Sequence, residues 1–278
     1  MSSSRIGIVC SGGGMTCAYS AGALEAIHDH YGFRTPHVLI GASGSAGNCA
    51  YYTSGQSQVG RHVWCDLLTD GQMISYRQWP ILNIDYLVNT VFRRLVPLDS
   101  YAVKHNPLEL LIPTTNVDTG LLHYFSNHEP DYDVFPVLIA AKTVPVVAGR
   151  SVCIDGVCKH RYADGDLAQQ LNRHTRLARE YDCEKIVVID SIVGEELKIK
   201  RAIKFYERYA PKAMKRAVER GLADDHNLIH DDESIITIRP TRNLEMGALT
   251  DKKTKVERAY DMGYADAVHN PLLQQLLS

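Results

Sequence analysis

The stretch Leu39-Ile40-Gly41-Ala42-Ser43-Gly44-Ser45-Ala46-Gly47-Asn48 constrains this chain more than any other. A short apolar run ends at a glycine, one serine stands among small residues, and a helix-like pattern follows. This is the sequence form of a nucleophile elbow. A strand over residues 36–40 enters a tight turn with Ser43 at its apex, and a helix runs from near Ser45 toward Ser54. Larger neighbours would collide in so sharp a turn. The helix N-terminus brings N–H groups and partial positive charge beside the serine. Ser43 is the candidate nucleophile. Gly41 and Ser43 fit Gly-x-Ser-x-Gly, while Ser45 takes the place of the last glycine. Choosing Ser45 as nucleophile instead would lose the first glycine. The plain alternative is a flexible strand-to-helix loop over residues 41–47.

A second station lies near the N-terminus. Residues 5–10 read as a buried first strand that runs into Ser11-Gly12-Gly13-Gly14-Met15. A helical pattern then extends from Tyr19 to Tyr31 and stops at Gly32. Successive glycines let backbone N–H groups point at an anion. A nucleotide phosphate is one such anion, but neither a Gly-Lys-Ser/Thr ending nor a Gly-x-Gly-x-x-Gly register is present. The oxyanion of a tetrahedral acyl intermediate is the other, and it suits a serine one strand–helix–strand unit later. A ligand-free glycine turn is the plain alternative. The candidate oxyanion donors are Gly12, Gly13, Gly14 and Met15.

The third station is Tyr162-Ala163-Asp164-Gly165-Asp166-Leu167. It follows a hairpin-like segment whose turn is Asp155-Gly156. Asp155 reads as a turn residue, whereas Asp164 is placed to project a carboxylate into a site. An Asx-turn or helix cap is the plain reading of Asp164.

Together these stations resemble the patatin-like phospholipases. In that family a glycine-rich loop forms the oxyanion hole, a Gly-x-Ser-x-Gly elbow supplies the nucleophile, and an Asp-Gly motif supplies the aspartate of a Ser–Asp dyad. Gly12 to Gly14, Gly41 with Ser43, and Asp164 with Gly165 match these in turn. Asn116-Val117-Asp118-Thr119-Gly120 with Tyr124-Phe125-Ser126 looks like the strand, turn and strand before the aspartate. Ala140-Ala141-Lys142-Thr143-Val144-Pro145 looks like the family's Ala-Ser-x-x-x-Pro helix end. Ile238-Arg239-Pro240 and the helix through Met262 and Tyr264 look like its last strand and helix. The resemblance spans about residues 5 to 268. It implies a three-layer α/β/α fold with a mainly parallel central sheet, and a serine lipid acyl hydrolase of the phospholipase A or esterase kind using Ser43 and Asp164, with no cofactor. Three departures stand out. Ser45 replaces a glycine, Asp166 replaces a small residue and adds like charge beside Asp164, and Met15 stands where a basic residue is common. They leave open a catalytically weak relative that binds lipid or protein.

A histidine triad is the mechanistic competitor, with His269 or His230 as nominees. The elbow of that fold follows several strands, while Ser43 falls on the second. His174 and His160 read as surface residues. His226 and His230 lie amid Asp224, Asp225, Asp231 and Asp232, which reads as a solvated acidic loop rather than a metal site.

A chain of 278 residues is the size of one α/β domain spanning 1–278. Apolar runs at residues 5–10, 36–40, 136–140 and 185–190 suggest its strands. The segment 72–106 carries Trp79, Ile81, Leu82, Ile84, Tyr86, Leu87, Phe92 and Leu95, as core packing or as a lid or acyl-chain wall. Residues 198–220 read as one basic helix, either solvated or facing anionic head groups, and residues 251–278 as a C-terminal helical segment. Seven cysteines without zinc-type spacing suggest reduced thiols and a cytoplasmic protein. No apolar signal core or membrane-span pattern is seen, so contact with a membrane is expected to be peripheral. A net charge of −2 argues against nucleic acid as a partner. A lipid or small ester is the expected partner, and the oligomeric state is not set by these features.

Overall fold

The computed structural model describes residues 5–154, 159–168, 171–192, 197–223 and 233–277. The Asp155-Gly156 turn, His226, His230 and the acidic residues Asp224, Asp225, Asp231 and Asp232 lie outside them.

In chain order, β1 (Ile6–Cys10) leads through a 3₁₀ turn to α1 (Ala18–Glu25), which continues as π-helix to His30. Then follow β2 (Val38–Gly41), α2 (Ser45–Thr53), a π-helical stretch Tyr86–Leu95 and α3 (Ser100–His105). Next come β3 (Glu109–Asn116), β4 (Leu122–Ser126), α4 (Val134–Lys142), β5 (Val152–Cys153) and β6 (Arg161–Asp164). The chain closes with α5 (Leu171–Glu180), β7 (Lys185–Ile189), α6 (Leu197–Tyr209), α7 (Lys212–Ala223), β8 (Ile235–Ile238), α8 (Lys253–Val268) and α9 (Pro271–Leu277).

The strands form one eight-stranded sheet in the order β5-β6-β3-β2-β1-β7-β8, with β4 paired to β3. The pairs β1–β2, β1–β7, β2–β3 and β7–β8 are parallel; those joining β4, β5 and β6 are antiparallel. Alternate strand residues serve two cores, as the period of two in a pleated strand requires. Ile8, Leu39, Leu110 and Val187 pack with Leu24, Cys49, Leu138 and Val256 of the helices on one face. Val9, Ile40, Leu111 and Val188 pack with Leu171 and Leu177 of α5 on the other. The expected three-layer α/β/α arrangement is thus present. A smaller cluster joins Ala163 and Leu167 to Met214, Ala217 and Val218 of α7.

Two local expectations are corrected. The apolar run 136–140 is not a strand but part of α4, begun by the Asp133 carboxylate accepting from the Phe135 N–H at 3.0 Å. The third core strand is β3, whose neighbours on both sides bury it. The basic stretch 198–220 is not one helix either. It breaks into α6 and α7 at Ala210-Pro211, because proline lacks the N–H that a continuing helix needs.

The sheet sets the position of the site. After β1 the chain crosses to β2 on one side, and β7 later adds on the other, which makes β1 a switch point. A crevice forms beyond the carboxyl ends of strands at such a point. Gly12 to Gly14 follow β1 there, and Ser43 follows β2.

Candidate active site

β2 ends at Gly41, which pairs with Cys10 of β1. Ser43 then takes φ of +47° before α2 begins. A left-handed residue with a Cβ costs roughly 1–2 kcal/mol, so the surroundings must enforce it. Several contacts do so. Ala42 N–H donates to the Cys10 carbonyl at 3.1 Å, and Ser45 N–H donates to the Ala42 carbonyl at 2.9 Å. The buried Ser45 hydroxyl donates to the Ser11 carbonyl at 2.6 Å and lies 2.7 Å from the Ser20 hydroxyl. Ser45 therefore does more than fit where glycine is usual, because it pins the elbow helix to the glycine loop.

The Ser43 hydroxyl donates to Oδ2 of Asp164 at 2.6 Å. Asp164 ends β6, and its other oxygen accepts from the Asp166 N–H at 3.0 Å. Its own N–H donates to the Thr143 carbonyl, and the Thr115 hydroxyl donates to its carbonyl at 2.8 Å. Gly165 opens the 3₁₀ turn after Asp164, and α7 packs on that turn. The carboxyl is 1% exposed. Burial foremost, then the like charge of Asp166, pushes its pKa up to about 8, while the Ser43 hydrogen bond opposes the shift.

The glycine loop curls beside this pair. A Cβ on Gly12 would fall 1.9 Å from Oδ2 of Asp166 and 2.9 Å from the Ser43 Cβ, so Gly12 lies against both. Gly14 has φ of +60°, and a Cβ there would sit 2.6 Å from the Ala248 carbonyl oxygen. The N–H groups of Gly12, Gly13 and Gly14 take no partner among the described residues. Met15 is different. Its N–H donates to the Ala248 carbonyl at 3.0 Å, so it is not free for an oxyanion, and Met15 leaves the donor set.

Two residues at the site escape the sequence reading. Lys142, at the end of α4, is 5% exposed and donates to the carbonyls of Ser43 at 2.7 Å and Gly44 at 3.0 Å. Burial pulls its pKa down to about 8. The available signal was a lone charge closing the otherwise apolar run Val-Phe-Pro-Val-Leu-Ile-Ala-Ala-Lys. The second is His174, which is 0% exposed rather than a surface residue. Its Nδ1 is 2.7 Å from the Tyr124 hydroxyl and its Nε2 is 3.5 Å from Asp166. His160 is exposed, 3.5 Å from Asp118, and His269 is exposed beyond α8.

The expected run of reduced thiols is corrected at one position, since Cys153 is disulfide-bonded. Cys10, Cys17, Cys49, Cys65 and Cys183 are free and buried, as small apolar residues would be. Among the described residues no group of three or more His, Cys, Asp or Glu is arranged to hold a metal. No helix among them is long and apolar enough to cross a membrane.

The three-layer α/β fold thus brings a serine on a strained turn, a buried aspartate on its hydroxyl and a glycine loop to one place. The patatin-like phospholipase family model matches residues 8–174, and this chain belongs to that family of lipid acyl hydrolases. Its fold is similar to that of VipD from Legionella pneumophila, with a TM-score of 0.58 and 13% identity over 99% of this chain and 67% of VipD. A second structure, type III effector protein ExoU, aligns with a TM-score of 0.43 and 13% identity, over 98% of this chain and 53% of ExoU. The chain thus spans about two thirds and about half of those two proteins. No curated protein matches it in sequence.

Proposed function

We propose that this chain is a serine lipid acyl hydrolase that cleaves carboxylic esters through Ser43 and Asp164. The observation that carries this reading is the 2.6 Å hydrogen bond from the Ser43 hydroxyl to Asp164 at the apex of a left-handed elbow. Ionised Asp164 accepts the hydroxyl proton as the Ser43 oxygen bonds to the ester carbonyl carbon. The carbonyl oxygen becomes an oxyanion, held by N–H groups of Gly12, Gly13 and Gly14. Asp164 returns the proton to the leaving alcohol, and the acyl group stays on Ser43. Water then attacks that ester with Asp164 again as base, freeing the acid. One oxyanion donor is worth about 3 kcal/mol in such a step.

The family supports a lipid as the ester's carrier. The same reading treats residues 1–278 as one domain and makes segment 72–106 the wall for an acyl chain. Phe92 of that segment lies against Gly47 of α2, and Leu82, Ile84, Tyr86 and Leu87 are buried beside it. Trp79 and Leu95 are exposed, at 59% and 53%, which suits peripheral contact with a lipid surface.

The test is hydrolysis of a panel of phospholipids and neutral glycerol esters by the wild type and by Ser43→Ala. Release of fatty acid by the wild type and none by the variant is the expected result. A folded wild type inert on the whole panel would favour a binding protein.

A further inference from the structure

A lysine with 5% exposure, as Lys142 has, is a rare placement, since few are so buried without a specific partner. Among the described residues its ammonium forms no ion pair. It donates instead to the carbonyl oxygens of Ser43 and Gly44, the two residues whose backbone makes the elbow. Those carbonyls lie at the start of α2, where the chain leaves the left-handed turn. The lysine comes from a different element, the end of α4, so the contact ties the turn to a separately packed helix. The next residue, Thr143, accepts the Asp164 N–H at 3.0 Å. One short segment, Lys142-Thr143, thus holds the serine backbone with its side chain and the aspartate backbone with its carbonyl.

Resting on the function proposed above, we infer that Lys142 is a positioning residue that clamps the Ser43–Gly44 turn and keeps the serine hydroxyl in register with Asp164. Two effects follow. The first is geometric, because without the clamp the strained turn relaxes and the hydroxyl spends less time on the carboxylate. The second is electrostatic. Cys17, Asp164 and Cys49 are the titratable groups that act on Lys142, and of these Asp164 is the carboxyl, while burial raises the Cys17 thiol to about 12. The lysine charge in turn favours the ionised form of Asp164, against the pull of burial and Asp166. A merely structural lysine would supply the first effect without the second.

The experiment compares wild type, Lys142→Met and Lys142→Gln by rate of fluorophosphonate labelling, by pH profile of kcat/KM and by amide hydrogen exchange of residues 41–49. Lys142→Met should label about 10-fold or more slowly, in line with the cost of small misplacements at a reacting group. Its acid limb should move to higher pH, kcat should fall more than KM changes, and the elbow amides should exchange faster. Lys142→Gln keeps one neutral donor, so it should recover part of the exchange protection while its acid limb stays raised. If Lys142→Met does not fold, the glutamine variant alone decides through that limb. A folded variant with wild-type labelling and an unmoved acid limb would overturn the inference. If wild type itself does not label, the proposed function fails; the clamp is then judged by exchange alone, and unchanged protection at residues 41–49 overturns it.

Discussion

The Ser45 hydroxyl donates to the Ser11 carbonyl at 2.6 Å, joining the first turn of α2 to the residue that precedes the glycine loop. Both groups are buried, so neither has water as a substitute. Removing the hydroxyl leaves a buried carbonyl short of a donor, a loss of about 1–3 kcal/mol. Ser45→Ala should therefore melt at lower temperature yet keep measurable ester hydrolysis. Complete loss of activity in a well-folded Ser45→Ala, with Ser43→Ala active, would move the nucleophile to Ser45.

Gly12 occupies the narrowest place in the site. Its added Cβ would meet Asp166 and Ser43, so Gly12→Ala must displace one of them. Turnover should fall by at least the roughly 10²-fold typical of losing an oxyanion donor. The comparison is steady-state hydrolysis by Gly12→Ala and wild type, with circular dichroism to confirm folding. An active Gly12→Ala would remove the loop from the chemistry.

Asp164→Asn keeps the shape and loses the proposed base, so kcat should fall about 10²- to 10⁴-fold. The pH dependence is the more specific sign. Asp164 must be ionised to accept a proton, and its pKa is raised to about 8, so wild-type kcat/KM should climb with pH toward a plateau above 8. An acid limb below pH 5 would contradict the buried base.

The same shift bears on stability. A carboxyl whose folded pKa lies above its ordinary 3.8 binds its proton more tightly when folded, so its stabilising contribution is full below about pH 4. That contribution is lost as pH rises through about 8. Thermal melts should therefore show Asp164→Asn gaining on wild type steadily between pH 4 and 8. A constant gap would mean that the Asp164 pKa is not raised.

Among the described residues the Ser43 hydroxyl meets Asp164 and no histidine. His269 is exposed, and its Nδ1 is 2.8 Å from the Ala265 carbonyl. His269→Ala should retain most activity, and EDTA should leave the wild-type rate unchanged. Loss on chelation restored by calcium would point to a metal in the reaction.

What was legible in the sequence depended on how locally each feature is encoded. The elbow, the glycine loop and Asp164-Gly165 were readable because tight backbone geometry restricts residue choice at consecutive positions. The strand assignment of 136–140 failed because short apolar runs look alike in a buried helix and a buried strand. Asp133, the N-cap, was the distinguishing signal. Met15 was misassigned because its N–H partner, Ala248, arrives from more than two hundred residues away. In the sequence Lys142 stands only as part of the segment 140–145 that looks like a helix end, and a cation at a helix end is favourable without any further role. Its contacts are the carbonyls of Ser43 and Gly44, about a hundred residues earlier in the chain, which no local pattern reveals. His174 was hidden in the same way by Tyr124.

The most direct test of the account is where a fluorophosphonate probe attaches. Wild type, Ser43→Ala and Asp164→Asn are incubated with the probe, and the adduct is located by peptide mass spectrometry. The Ser43–Asp164 hydrogen bond predicts one adduct on Ser43 in the wild type, a much slower adduct in Asp164→Asn, and none in Ser43→Ala. An adduct on another residue, or equal labelling of Asp164→Asn and wild type, would contradict it.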